Sequence, residues 1–212
     1  MAILSEATTK QVPEPPEKVS EQLARWHDGD GDKTLGGLID YFDEKSFALL
    51  FVLLMGVPAL PLPTGGATHV LEVVTVLLAL QLVLGRSDIW LPQRWRKLAL
   101  GGDKQQKFLT GLLKVVRRFE RFSKPRMRFL FGTRVSNIAF GLIVALGAIA
   151  AFFAPPFSGL DTLPSLGVVL ISIGVLLEDI VGVIVGLVIA VIGVAIEIFL
   201  GKAVVDLVSG LF

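Results

Sequence analysis

Five long apolar runs dominate the chain, over residues 47–60, 70–85, 135–154, 163–177 and 180–200, and polar, charged stretches separate them. A helix rising 1.5 Å per residue needs about 20 residues to cross a hydrocarbon layer ~30 Å thick. The third and fifth runs reach that length. The others are shorter, and either borrow polar flanks to cross or turn back as half-helices. The first two runs are divided by "PALPLPTGGATH", residues 58–69, which concentrates Pro58, Pro61, Pro63, Gly65 and Gly66. Proline lacks the amide donor a helix interior needs and glycine gives up the most backbone freedom, so no helix continues through this stretch.

The third and fourth runs are divided in the same way by Pro155, Pro156 and Gly159. Shifting the sequence by 93 residues lays one break on the other without a gap, matching Pro63 to Pro156, Gly66 to Gly159, Val76 to Val169 and Leu84 to Leu177, with Phe47 on Phe140. The shared order of apolar run, break and apolar run predicts an internal duplication over about 46–86 and 135–179. Repeated, interrupted hairpins are a transporter layout, because unwound backbone and helix ends offer polar groups to a solute within the membrane. Two readings of the breaks stand. They meet and enclose a polar site made by Pro61, Pro63, Gly65, Gly66, Glu72, Pro156, Gly159 and Asp161, or they are ordinary turns satisfied by water outside the membrane.

Composition fixes the broad class. Hydrophobic residues make up 53% and charged residues 18% of 212 positions, unlike a soluble domain. There is no cysteine, which removes disulfides, thiolate metal sites and cysteine nucleophiles. The opening residues lack a basic region followed by an apolar core and do not resemble a cleaved secretory signal. Residues 1–34 are expected to form a polar, acidic tail, partly disordered.

The charge is unevenly placed. Residues 86–134 carry fourteen basic side chains against Asp88, Asp103 and Glu120, an excess of eleven, so this segment is expected to stay in the cytoplasm. Within it, Phe108, Leu112, Val115, Val116, Phe119 and Phe122 recur at helical spacing, with Lys107, Lys114, Arg117, Arg118 and Arg121 around the rest of the turn. That pattern predicts a helix lying on anionic headgroups. Arg86, Trp90 and Trp95 fit the same membrane boundary. Nucleic acid competes for any basic cluster, but spans on both sides make lipid the nearer anion, and no nucleic-acid partner is expected.

Candidate chemistry is sparse. "DGDGDK" at residues 28–33 has Lys33 where a calcium loop needs glycine and Ile39 where it needs an acid, so it reads as a turn. His27 and His69 have no companion ligands nearby in sequence, and neither a metal nor another cofactor is expected. Glu72, Glu178, Asp179 and Glu197 lie in or beside apolar runs, where acids are costly and mark candidate functional positions. Glu178 and Asp179 also fit a solvated helix boundary with Asp as cap, and Glu197 has Lys202 within reach. Asn137 and Gln81 suit hydrogen bonds between helices. Gly182, Gly186 and Ala190 form a small-residue stripe, as do Gly141 with Ala145 and Gly147 with Ala151, for internal packing or a dimer face. No nucleophile with a base and no phosphate loop appears, so the expectation is a protein without catalytic residues.

"SFALLFVLLMGVPALPLPTGG" followed by "LLALQLVLGRSDIWLP" resembles the ExoD-type exopolysaccharide synthesis proteins of bacteria. The carrying residues are Ser46 and Phe47, Pro61 and Pro63, and Gly85, Arg86, Trp90, Leu91 and Pro92, with "GVLLEDIVGVIVG" similar to the family's acidic pair. The resemblance covers most of residues 35–200 and leaves the acidic N-terminus outside, and Ile180 stands where a glycine is common. It implies an inner-membrane protein linked to exopolysaccharide production and alkali tolerance. Together these readings predict an all-α integral membrane domain over 35–212: two similar Pro/Gly-interrupted helical hairpins joined by a cytoplasmic amphipathic helix in 87–134, then a further hydrophobic helix at 180–200. The expected function is a small transporter or channel-like protein of the multi-pass inner membrane, or else a non-transporting accessory of the exopolysaccharide machinery. The expected partners are membrane lipids, that machinery and a second copy of the chain.

Overall fold

The computed structural model describes residues 18–29, 31–61, 67–86, 88–126, 131–155 and 158–209. Nine α-helices and no strand occur among them: α1 Val19–Asp28, α2 Leu35–Phe42, α3 Ser46–Met55, α4 Ala67–Val83, α5 Gln93–Arg96, α6 Asp103–Phe122, α7 Arg134–Phe153, α8 Thr162–Leu176 and α9 Ile180–Ser209. A short 3-10 turn, Asp43–Lys45, joins α2 to α3.

The centre is α3. Its sequence, SFALLFVLLM, is apolar on every side, and such a helix has no face to give to water. Ser46 to Val52 and Met55 are all buried, enclosed by α2, α4 and α8. Around it α4 packs on α7, and α8 pairs with α9. The α8–α9 seam is tight because glycines face it from both helices. A Cβ on Gly167 would sit 2.5 Å from the Ala190 Cβ, on Gly174 2.5 Å from the Val183 nitrogen, and on Gly186 2.5 Å from the Ile171 nitrogen. The small-residue stripe of Gly182, Gly186 and Ala190 is therefore used for internal packing. Gly141 likewise meets α4 at Ala79 and Val83, and Gly147 meets Val168 of α8.

Among the described residues two helices are long and apolar enough to cross a membrane. One is α7, Arg134–Phe153, with mean hydropathy 2.2; the other is the stretch Ile180–Ala203 of α9, with mean hydropathy 3.0. The last helix runs past residue 200, to Ser209. With 10, 17 and 15 residues, α3, α4 and α8 reach only about 15, 25 and 22 Å.

The ends of α4 and α8 repeat each other in detail. Leu84, Gly85 and Arg86 donate to the carbonyls of Leu80, Leu82 and Gln81. Leu177, Glu178 and Asp179 donate to those of Ile173, Val175 and Gly174, each 93 positions later. Both are Schellman closures, whose residue after the cap must take a left-handed backbone. Gly85 does so at φ 79° and Glu178 at φ 56°.

Part of the N-terminal segment read as a tail is structured. Val19, Leu23 and Trp26, spaced for one helical face, are buried, and Glu120 of α6 accepts hydrogen bonds from the Ser20 amide (2.9 Å) and hydroxyl. Lys33 closes α1 by donating to the Trp26 and His27 carbonyls, with its ammonium 5.1 Å from the centre of the Trp26 ring. The acidic neighbours of α1 mask this face in the sequence. The docking also redirects α6. Its buried residues are Leu109, Leu112, Leu113 and Val116, which join the protein core, whereas Phe122 is 75% exposed. The amphipathic helix is thus anchored by its apolar face to the protein itself.

Candidate functional site

The starts of α4 and α8, which follow the two Pro/Gly breaks, lie at one end of the bundle with the end of α7 and the C-terminal half of α9. The His69 ring lies 5.3 Å from the Phe152 ring of α7. Gly193 of α9 approaches Leu163 and Pro164 so closely that a Cβ there would sit 2.7 Å from both, which sets Glu197, one turn on, beside the start of α8. Asp161, at the N-cap of α8, and Glu197 are both within electrostatic reach of Glu72.

Glu72 is fully buried. Its Oε2 lies 2.7 Å from His69 Nδ1, a bond made possible by the three-residue spacing on one helix face. Its Oε1 is buried with no hydrogen-bond partner among the described residues, as are Glu197 Oε2 and Ser165 Oγ. Thr75, also buried, donates back to the Leu71 carbonyl at 2.8 Å. A carboxylate in an apolar interior needs a proton, a cation or a hydrogen-bond donor to offset its lost hydration, and among the described residues only one oxygen of Glu72 has a partner. Burial pushes the Asp161 carboxyl above its usual range, partly opposed by its own and the Thr162 amide and by His69. Among the described residues no three His, Asp or Glu side chains converge as metal ligands.

Of the positions singled out from the sequence, Glu72, Asp161 and Glu197 come together here. Gly159 holds φ 68° just ahead of α8, and Pro61 is exposed after α3. Pro63, Gly65, Gly66 and Pro156 lie outside the described residues. Glu197 points its Oε2 into the protein rather than pairing with Lys202. Against the expectation that His69 lacks a companion nearby in sequence, Glu72 stands three residues on and meets it. The signal legible in the sequence is His-x-x-Glu on one helix face.

The opposite end holds the second acidic pair. Glu178 meets Lys45 at 3.8 Å, and Asp179 meets Arg126 at 3.4 Å while its Oδ1 accepts from the Val181 amide, capping α9. Gln81 holds the loop after α4 by bonding both the amide and the carbonyl of Trp90, rather than a neighbouring helix. Trp90 is exposed, Trp95 half-buried and Arg86 exposed, and Lys114, Arg117, Arg118 and Arg121 lie exposed along α6.

Comparison with known proteins adds a lineage. The family profile described as "Exopolysaccharide synthesis, ExoD" matches residues 18–199. Its start at residue 18 takes in α1, which the resemblance read from the sequence had left outside. An uncharacterized protein of Synechocystis sp. is 30% identical over 136 residues, 64% of this chain and 63% of that protein. Protein ExoD of Rhizobium meliloti is 28% identical over 147 residues, 69% of this chain and 61% of that protein. The aligned region thus spans somewhat under two thirds of each relative. No solved structure matches.

Proposed function

The chain belongs to the ExoD exopolysaccharide synthesis family, and from that premise we propose that it is a multi-pass bacterial inner-membrane protein acting as a small transporter or channel-like protein in exopolysaccharide production. The membrane assignment is supported by α9, since only 17% of its apolar stretch is buried inside the chain and Val181, Ile184, Val188 and Val191 face outward. An apolar surface of that extent needs lipid or protein against it. The duplication is supported by the matching closures of α4 and α8 and by the crossed pairing of α3 with α8 and α4 with α7.

Glu72 carries the transport reading. An acid fully buried among apolar helices, with one oxygen lacking a partner among the described residues, is the usual mark of a solute or proton path. The purified protein in liposomes should pass protons or a monovalent cation, read with an entrapped pH dye under an imposed gradient. Glu72→Gln should abolish the flux while keeping helix content and melting temperature. Wild-type flux no greater than that of empty liposomes would refute transport of those ions.

A non-transporting accessory role is the rival, favoured by the exposed basic side of α6, which suits an acidic partner or lipid surface. A second copy of the chain would meet the outward apolar sides of α7 and α9, because the glycine seams are filled from within.

A further inference from the structure

Among the described residues, the two non-glycine positions with positive φ are Asp43, at 44°, and Glu178, at 56°. They are far apart in sequence and belong to different elements, yet both line one cavity of about 320 Å³ at the end of the bundle opposite Glu72. Left-handed backbone is disfavoured for residues with a Cβ, and where it persists it points to a constraint other than local stability. Glu44, Lys45 and Asn137 complete the polar wall, and Phe47, Phe131 and Phe140 supply aromatic surface. A second cavity, of about 330 Å³, adjoins the first and shares Phe131, Gly132, Asn137, Phe140 and Val175 with it. It runs between α7, α8 and α9 against Ala139, Ile143, Ile171 and Val183, and its walls are almost wholly apolar.

We propose that the two cavities form one binding site for a glycolipid, with an uncharged, hydroxyl-rich sugar head in the first and its hydrocarbon chain in the second. Carboxylates accept from neighbouring sugar hydroxyls, while the Asn137 amide and Lys45 ammonium provide donors. Phe131, half-buried, with Phe47 and Phe140 in the wall, supplies apolar surface of the kind a pyranose ring packs against. Three carboxylates against one ammonium, itself paired with Glu178, disfavour an anionic headgroup. The chain of such a lipid enters from the bilayer along α7 and α9. This site is independent of transport at Glu72, so either reading can fail alone.

The test uses the full-length protein in phosphatidylcholine nanodiscs and two photoreactive probes, a decyl glucoside and a decyl phosphocholine, each with a diazirine in the alkyl chain. The glucoside should label peptides of α7 and α8 around Ile143 and Ile171, and unlabelled decyl glucoside should compete. Asp43→Gly and Glu178→Gly remove a carboxylate while relieving the left-handed backbone, so both should melt no lower than wild type yet lose labelling by about tenfold, the worth of one charge-assisted hydrogen bond. Asn137→Leu should lose labelling similarly, and serves as the carrier of the test should either glycine variant fold poorly. Equal labelling by the phosphocholine probe would reduce the site to a general lipid crevice and overturn the sugar assignment. Absent labelling of these helices, or labelling unchanged in the variants that fold, would overturn it as well.

Discussion

Gly186→Ala tests the packing of the bundle most directly. The added Cβ would lie 2.5 Å from the Ile171 nitrogen, 2.8 Å from its Cγ1 and 2.9 Å from the Gly167 carbonyl oxygen. Comfortable contact is about 3.5–4.0 Å, so α8 and α9 must separate by roughly 1 Å. Two of the obstructing atoms are backbone and cannot rotate away. The displacement spreads, because Gly167 against Ala190 and Gly174 against Val183 belong to the same seam. Overpacking of this kind costs about 1–3 kcal/mol, and within a membrane close packing is a main source of helix association. Alanine also gains up to ~1 kcal/mol of helix propensity over glycine. The steric term should win, leaving a net loss of about 1–2 kcal/mol.

Gly111→Ala provides the opposite sign, since nothing lies within 4 Å of its Cβ position on the exposed side of α6. It should stabilise by about 0.5–1 kcal/mol. Thermal unfolding in detergent, followed by helical circular dichroism with light scattering on the same samples, separates the outcomes. If Gly186→Ala melts at or above wild type, the seam is misread. If it alters the oligomer with melting unchanged, position 186 faces another chain.

Asp161→Asn should raise stability at neutral pH. Because burial raises the folded-state pKa of Asp161, the folded protein binds more protons than the unfolded chain between the two values, and stability falls as pH rises through that window. The gain from asparagine should therefore vanish below the ordinary aspartate range and be complete above the raised value; a gain independent of pH would rule out this origin. Lys124→Cys, exposed after α6 in a chain without other cysteines, should resist an impermeant thiol reagent in intact cells and react after lysis. Ready labelling in intact cells would invert the proposed orientation.

Apolar run length made the long helices legible, because α7 and α9 owe their existence to local composition. The breaks located the starts of α4 and α8 for the same reason, as proline and glycine act locally. What escaped was set by tertiary partners. The acids around α1 read as a tail, but Val19, Leu23 and Trp26 needed α6 beside them before they could count as a core face. The stripe on α6 was centred too far toward Phe119 and Phe122, since the position of its partner selects Leu109 and Leu113. His69 and Glu72 were legible as a spacing, whereas the approach of Glu197 depends on Gly193 admitting Pro164.

The 93-residue offset gives a physical way to weigh the remaining oddities. Where Glu72 sits in α4, α8 carries Ser165, and both are fully buried. Where α4 closes on Gly85, α8 closes on Glu178, which holds the same left-handed backbone with a Cβ. A bundle selected only for packing would be expected to carry an apolar residue at 72, saving the cost of a buried acid, and a glycine at 178, saving roughly 1–2 kcal/mol of backbone strain. The positions 93 residues away, Gly85 and Ser165, carry the less costly choice in the one case and an uncharged residue in the other. Glu72 and Glu178 are thus two acids that their own surroundings disfavour, at opposite ends of the bundle. Glu72→Gln and Glu178→Gly are therefore separable probes of the two proposed sites: one should silence ion flux without touching sugar labelling, the other the reverse.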